Sequence, residues 1–193
     1  MAGPTSTPTL AELVARYSEP KRRTIDVAHQ LFSTHGVGGT SLQMIADDLG
    51  VTKAAVYHQF RAKDEIVLAV IEVQLAPLEA ALTTALEQAP GPDRRLRLLS
   101  SLIEVAVTNR SSLSTLQSDP VLFRLLGEHP PSQRLWREVF GELLGDGLGA
   151  QARIRASVIA AILGTVSFPL VADLDDATLR AELIRIATPL LTG

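Results

Sequence analysis

The chain has no cysteine, which excludes disulfides and thiolate-bound metal. Its four histidines, His29, His35, His58 and His129, are scattered without ligand spacing, so no metal site is expected. Aromatic residues make up only 4%, and lysine occurs three times. No stretch alternates apolar and polar residues as a half-buried strand would. Two glycine-rich stretches, Gly36-Val37-Gly38-Gly39 and Gly145-Asp146-Gly147-Leu148-Gly149, follow helical patterns rather than strands, and neither has the lysine of a phosphate loop. No nucleophile motif frames the Ser, His and Asp residues. Neither an enzyme nor a cofactor is therefore expected. The N-terminus lacks a charged-then-apolar leader, which points to a cytoplasmic protein. Residues 156–172 carry no charge, but the run is shorter than the roughly 20 apolar residues of a spanning helix. It reads as a helix buried on several faces, with no membrane partner.

What is present is helical periodicity and an uneven charge. The whole chain has a net charge of −3. Residues 20–63 hold all three lysines and three arginines against three aspartates, a local +3, whereas residues 64–193 hold 11 arginines against 16 acids. A small basic head on an acidic body suits a protein that touches DNA with one end.

Residues 40–64 read as two short helices joined at Gly50-Val51. Thr40 is the expected N-cap, with Gln43 closing a capping box, and Leu42, Ile45, Ala46 and Leu49 recur at helical spacing. Gly50 suits a left-handed helix end. Thr52 caps again, and Val56 and Phe60 give the second helix its buried side. A helix, a glycine-containing turn and a second helix form a helix-turn-helix whose second helix can enter a major groove.

The remaining elements follow from the same signals. Thr9-x-x-Glu12 starts a short amphipathic helix to Tyr17. Pro20 opens a helix to about Thr34, buried through Ile25, Ala28, Leu31 and Phe32. Asp64 is expected to cap a long helix to about Gln88, with Pro77 breaking or kinking it. Further helices are expected at 93–108, 111–117, 120–126 with Asp119 as its cap, 131–144 after a loop at 127–131, 150–168 and a last one capped by Asp175, with a stripe of Leu179, Leu183, Ile186 and Leu190. The fold class is all-α: an arm with a short helix (1–19), a three-helix helix-turn-helix head (20–63) and a larger helical domain (64–193).

These residues resemble the TetR family of transcriptional regulators. The resemblance rests on I-x-x-A-x-x-L-F (Ile25 to Phe32), G-x-x-x-T-S-L-x-x-I-A (Gly36 to Ala46), L-G-V-T-K-A-A-V-Y-x-x-F (Leu49 to Phe60) and A-K-D (Ala62 to Asp64). It covers about 45 of the 193 residues. Many relatives have a histidine where this chain has Gln59, so no histidine role is carried to that position. The resemblance implies that Thr40 and Ser41 lie near a phosphate. It implies that Thr52, Lys53, Ala54 and Ala55 begin the recognition helix facing bases, that Tyr57 and His58 lie along the backbone, and that Lys63 reaches a phosphate. Elementary chemistry agrees for Lys53, which can donate to guanine O6 or N7.

The resemblance further implies a larger domain that binds a small-molecule effector and a homodimer built on the last two long helices. Candidate effector contacts are Leu102, Ile103, Leu116, Phe123, Trp136, Phe140 and Phe168, with Glu104, Asn109, Gln117, Arg124 and His129 as polar anchors. Candidate interface residues are Ile154, Val158, Ile162, Leu179, Leu183 and Ile186. The expected function is a ligand-responsive dimeric repressor of double-stranded DNA, released by an apolar or amphipathic effector. The alternative is a helical protein-interaction adaptor without DNA binding, against which the +3 segment speaks.

Overall fold

A computed structural model describes residues 7–110, 119–145 and 149–191. Every regular element among the described residues is helical, as the all-α expectation requires. In chain order these are α1 (Leu10–Ala15), α2 (Glu19–Gly39), α3 (Leu42–Leu49), α4 (Lys53–Gln59), α5 (Lys63–Leu86), α6 (Pro92–Thr108), α7 (Pro120–Glu128), α8 (Pro130–Leu144), α9 (Ala150–Thr165) and α10 (Asp176–Ala187). Two 3₁₀ turns, Pro169–Val171 and Thr188–Leu191, follow α9 and α10. The helix expected at 111–117 lies outside the described residues.

Two compact units form, one from Met1–Ala76 and Thr115–Arg134, the other from Pro77–Ser114 and Leu135–Gly193. The first has a continuous apolar core. Ile25, Ala28 and Phe32 of α2, Ile45 and Ala46 of α3, and Val56 of α4 meet Ile66, Val67 and Val70 of α5 and Leu122 and Leu125 of α7. This core therefore reaches past residue 63, where the helix-turn-helix pattern stops. α1 has only six residues, too few to persist alone. Its capping box is present, Thr9 accepting from Glu12 N–H and Glu12 from Thr9 N–H. Leu10 is fully buried, and Tyr17 packs against the core.

A buried polar chain threads this unit. The Tyr17 hydroxyl donates to Glu72 Oε2 on α5. Glu72 Oε1 lies 3.1 Å from His129 Nε2, and His129 Nδ1 lies 2.8 Å from Ser132 Oγ. Burial first, then the hydrogen bond to Glu72 and its negative charge, push the Tyr17 pKa well above the ordinary phenol value.

In the second unit α6 is central. α9, α10 and the final 3₁₀ turn pack on it, and Leu98, Leu99, Leu102, Ile103, Ala106 and Val107 form its buried side. Arg94 of α6 pairs with Glu142 of α8 through Nε–H to Oε1 at 2.8 Å. Arg110 pairs with Asp176 at 3.1 Å and donates to the Leu174 carbonyl at 3.0 Å.

Several boundaries differ from expectation for local reasons. α5 starts at Lys63 with Asp64 in its first turn rather than as its cap, and it runs through Pro77 without ending. Pro77 is exposed, and Ala76 and Pro77 are also where the two units divide. The expected 127–131 loop shrinks to His129, between α7 and α8. α9 stops at Thr165, so Phe168 is outside it. The α10 stripe is Leu179, Leu183 and Ala187, with Leu191 beyond, while Ile186 is exposed. α5 is the one described helix long and apolar enough to cross a membrane, and in the first unit its apolar residues are core.

Two outcomes follow from this packing. Phe32→Ala removes a fully buried ring and is expected to destabilise the protein by about 3–5 kcal/mol in denaturant unfolding. A phenol whose pKa is raised by folding contributes stability that is present below pH about 10 and lost as pH rises further. The wild-type unfolding free energy should therefore fall above that pH, and the fall should be smaller in Tyr17→Phe; equal alkaline slopes would contradict the assignment.

Candidate nucleic-acid interface

The geometry of the head starts where α2 ends. Gly36 takes φ 73°, a left-handed value that releases the helix into a final turn. Asp119, 82 residues away, closes that turn. Its Oδ2 accepts from Val37 N–H at 2.7 Å, while its Oδ1 accepts from Val121 and Leu122 N–H at 2.9 and 3.3 Å and so caps α7. The expected cap of α7 is thus present and has a second task that no local pattern signals.

Thr40 is not the cap of α3. Its side chain is only 2% exposed, and its hydroxyl donates back to the Gly36 carbonyl at 2.9 Å. Ser41 caps instead, accepting from Met44 N–H at 3.2 Å, and Gln43 donates to Asp47 rather than closing a box. The reason is tertiary: burial turns Thr40 inward, leaving the exposed Ser41 at the helix end. Gly50 takes φ 67°, ψ 31° as expected, and the Val51 N–H reaches the Ala46 carbonyl at 3.0 Å. Thr52 caps α4 by accepting from Ala55 N–H at 3.2 Å.

α4 is anchored by Val56, with Phe60 buried just beyond it. Lys53, Ala54, Tyr57 and His58 are exposed, and Ala55 is half-buried. The Lys53 ammonium lies 5.8 Å from the Tyr57 ring centre, and Lys21 lies 5.0 Å from that of Phe60. These cations border aromatic faces at a distance where attraction is modest. Lys63 is more committed than expected. Its ammonium donates to the Val37 and Thr40 carbonyls at 2.8 and 3.1 Å, at the negative end of α2. One of its three N–H groups is left over from these two bonds. Arg22 donates to the Tyr17 and Val14 carbonyls behind α1, and Arg23 is exposed. Sequence reasoning missed Asp119 as a part of the head. It also missed Gln59, whose Oε1 lies 2.9 Å from the Thr24 hydroxyl.

Among the described residues, the candidate effector contacts fall in both units. Leu102 and Ile103 are fully buried in α6, and Trp136 and Phe140 stack on α8 with ring centres 5.7 Å apart. Phe123, 56% exposed, belongs to the first unit, Phe168 is exposed in the second, and Leu116 lies outside the described residues. The polar candidates among the described residues already have partners within the chain: Glu104 with Arg180, Asn109 with the Val105 carbonyl, Arg124 with Asp64 and Glu128, and His129 with Glu72. Gln117 lies outside the described residues. The candidate interface residues also separate. Ile154 (64% exposed), Val158 and Ile186 lie at the surface, whereas Leu179 and Leu183 are buried, on the helix that packs against α6. Ile162 borders an open groove along α9 that Ile154, Val158 and Ala161 also line.

Residues 25–70 match the family model of "Bacterial regulatory proteins, tetR family". Over 69 residues the chain is 39% identical to the transcriptional regulator SrpR of Pseudomonas putida, covering 36% of this chain and 32% of that protein. It is equally similar, at 39% identity over 69 residues, to TtgW of the same species, an uncharacterised regulator, with 36% of this chain and 52% of that protein covered. The chain thus spans about half or less of these curated relatives. Among solved structures, Bacillus subtilis FadR with stearoyl-CoA superposes with TM-score 0.67 at 18% identity, over 89% of this chain and 98% of that one. AibR with isovaleryl coenzyme A and operator DNA gives 0.66 at 18% identity, over 89% and 99%. At such identity these structures speak to the fold. The Thr52-capped α4, the left-handed Gly50 and the matched sequence lead to one conclusion: at residues 25–70 this chain carries the helix-turn-helix head of the tetR family of bacterial regulatory proteins.

Proposed function

We propose that the protein is a dimeric transcriptional regulator, a repressor that leaves a palindromic operator when a small apolar or amphipathic effector binds. The observation that carries this reading is α4. It is short, capped by Thr52, anchored by Val56, and presents Lys53, Ala54, Tyr57 and His58 on its open side. Lys53 reads a guanine edge, the methyls of Ala54 and Ala55 permit close approach or meet a thymine methyl, and Tyr57 and His58 lie along the backbone. Ser41 and Thr52 stand at helix N-termini, where free N–H groups favour phosphate. The remaining N–H of Lys63 is available to a phosphate, and the inward-turned Thr40 supports that corner.

The exposed apolar residues Ile154, Val158 and Ile186 favour a second copy of the chain as their cover. A two-fold pair would set recognition helices about 34–36 Å apart, one DNA turn. The effector acts by binding better to a form whose heads are misspaced. AibR and FadR were solved with acyl-CoA ligands, which makes acyl thioesters the first effector class to test.

Selection from a randomised duplex pool tests the reading. It should enrich a palindrome, and binding should fall steeply with salt; enrichment of no sequence would refute it and favour the adaptor alternative. On the enriched duplex, Lys53→Ala should weaken discrimination at one base position per half-site by about 1–3 kcal/mol, measured by titration against single-base variants. Ile154→Asp should shift the protein toward monomer in sedimentation equilibrium, and an unchanged mass would remove α9 from the interface.

A further inference from the structure

Gln59 has a definite place in the structure. It is the last residue of α4, and its side-chain amide contacts Thr24 of α2, which is fully buried. The Thr24 Oγ lies 2.9 Å from Gln59 Oε1 and 3.1 Å from the Pro20 carbonyl. A hydroxyl has one hydrogen, so it cannot donate to both. Donated to Gln59, it makes the bond directly. Donated to Pro20, it leaves Oγ to accept from the Gln59 amide once that group is turned over. The α2–α4 link survives either arrangement.

The geometry of a two-turn helix gives this link its importance. Val56 is the one buried side chain within α4; Phe60 follows as the C-cap with extended backbone, φ −136° and ψ 122°, off the helical spiral. A single buried anchor within the helix holds it down but leaves its roll loosely fixed. Gln59 lies about 60° around the axis from Val56, so its bond opposes rotation. A roll of about 20°, at a side-chain radius of about 6 Å, moves an exposed tip by about 2 Å. That is enough to break a hydrogen bond to a base edge. It leaves the charge of the head unchanged.

We propose that the Thr24–Gln59 contact is a positioning element for sequence discrimination: it fixes the roll of α4 and thereby which base edges Lys53 and its neighbours meet. The proposal rests on the DNA-binding reading above. It concerns selectivity, not general affinity for DNA.

The test uses the full-length protein and two probes: the duplex that wild type enriches from a random pool, and a scrambled duplex of the same length and composition. Thr24→Val keeps the shape and deletes the hydroxyl, Gln59→Met deletes the amide, and Thr24→Ser restores the hydroxyl. Thr24→Val and Gln59→Met should each lower the enriched-to-scrambled affinity ratio by about tenfold, the size of one lost base contact. Affinity for the scrambled duplex should stay within about twofold, because it rests on charge. Thr24→Ser should keep the wild-type ratio, and the double variant should be no worse than either single one. Partial unfolding lowers both affinities alike and cancels in the ratio. An unchanged ratio, or an equal loss on both duplexes, overturns the positioning role while leaving the DNA-binding reading intact; a wild-type protein that enriches no sequence overturns both.

Discussion

The head depends on one carboxylate held between two backbone segments. Gly36 ends the regular part of α2 and leaves the N–H of the buried Val37 without a helical partner in a half-buried turn. Asp119 supplies the acceptor. A hydrogen bond to a charged group contributes about 1.5–3 kcal/mol, and a buried donor left without one costs a comparable amount. The same turn gives its carbonyl to Lys63, the first residue of α5. Thr40 ties back to Gly36, and Arg124 ties α7 to Asp64 at 3.2 Å. The start of α3, the end of α2, the start of α5 and the start of α7 are therefore fixed by one cluster of polar bonds. The apolar core beneath supplies most of the burial, and these bonds supply direction.

Much of this was legible in the sequence wherever the signal is local. The caps at Thr9, Thr52, Asp119 and Asp175 and the left-handed Gly50 depend on neighbours within a few residues, and all are present. Thr40 and Ser41 show the limit. Both are good N-caps, and burial, which is set by residues far along the chain, decides between them. Pro77 shows another. A missing N–H breaks a helix only when nothing else holds it, and an apolar helix held by packing on both sides of the proline runs on.

The second unit was less legible because apolar residues at helical spacing look the same whether they face core, ligand or partner. Leu102 and Ile103 are interior to α6, and Leu179 and Leu183 are buried on α10. Ile186 and Ala187 are adjacent in sequence, yet the larger of the two is the exposed one. The open side of α9, with Ile154 and Val158, was readable only in outline, from a helix with too few polar residues. The polar candidates among the described residues share one feature: each has a partner inside the chain, and side-chain pairing leaves no trace in a single sequence.

The first unit is assembled from two stretches of chain separated by a stretch that belongs to the other unit. Its core uses Leu122 and Leu125, and its central turn uses Asp119. A fragment cut after the helix-turn-helix would therefore carry α4 and its exposed side but lack the acceptor that orders its turn and part of the floor beneath it. Grafting this head onto another body, or another head onto this body, requires exchanging two non-adjacent segments together. What looks like an N-terminal module in the linear order is, in its wiring, not separable at any single point.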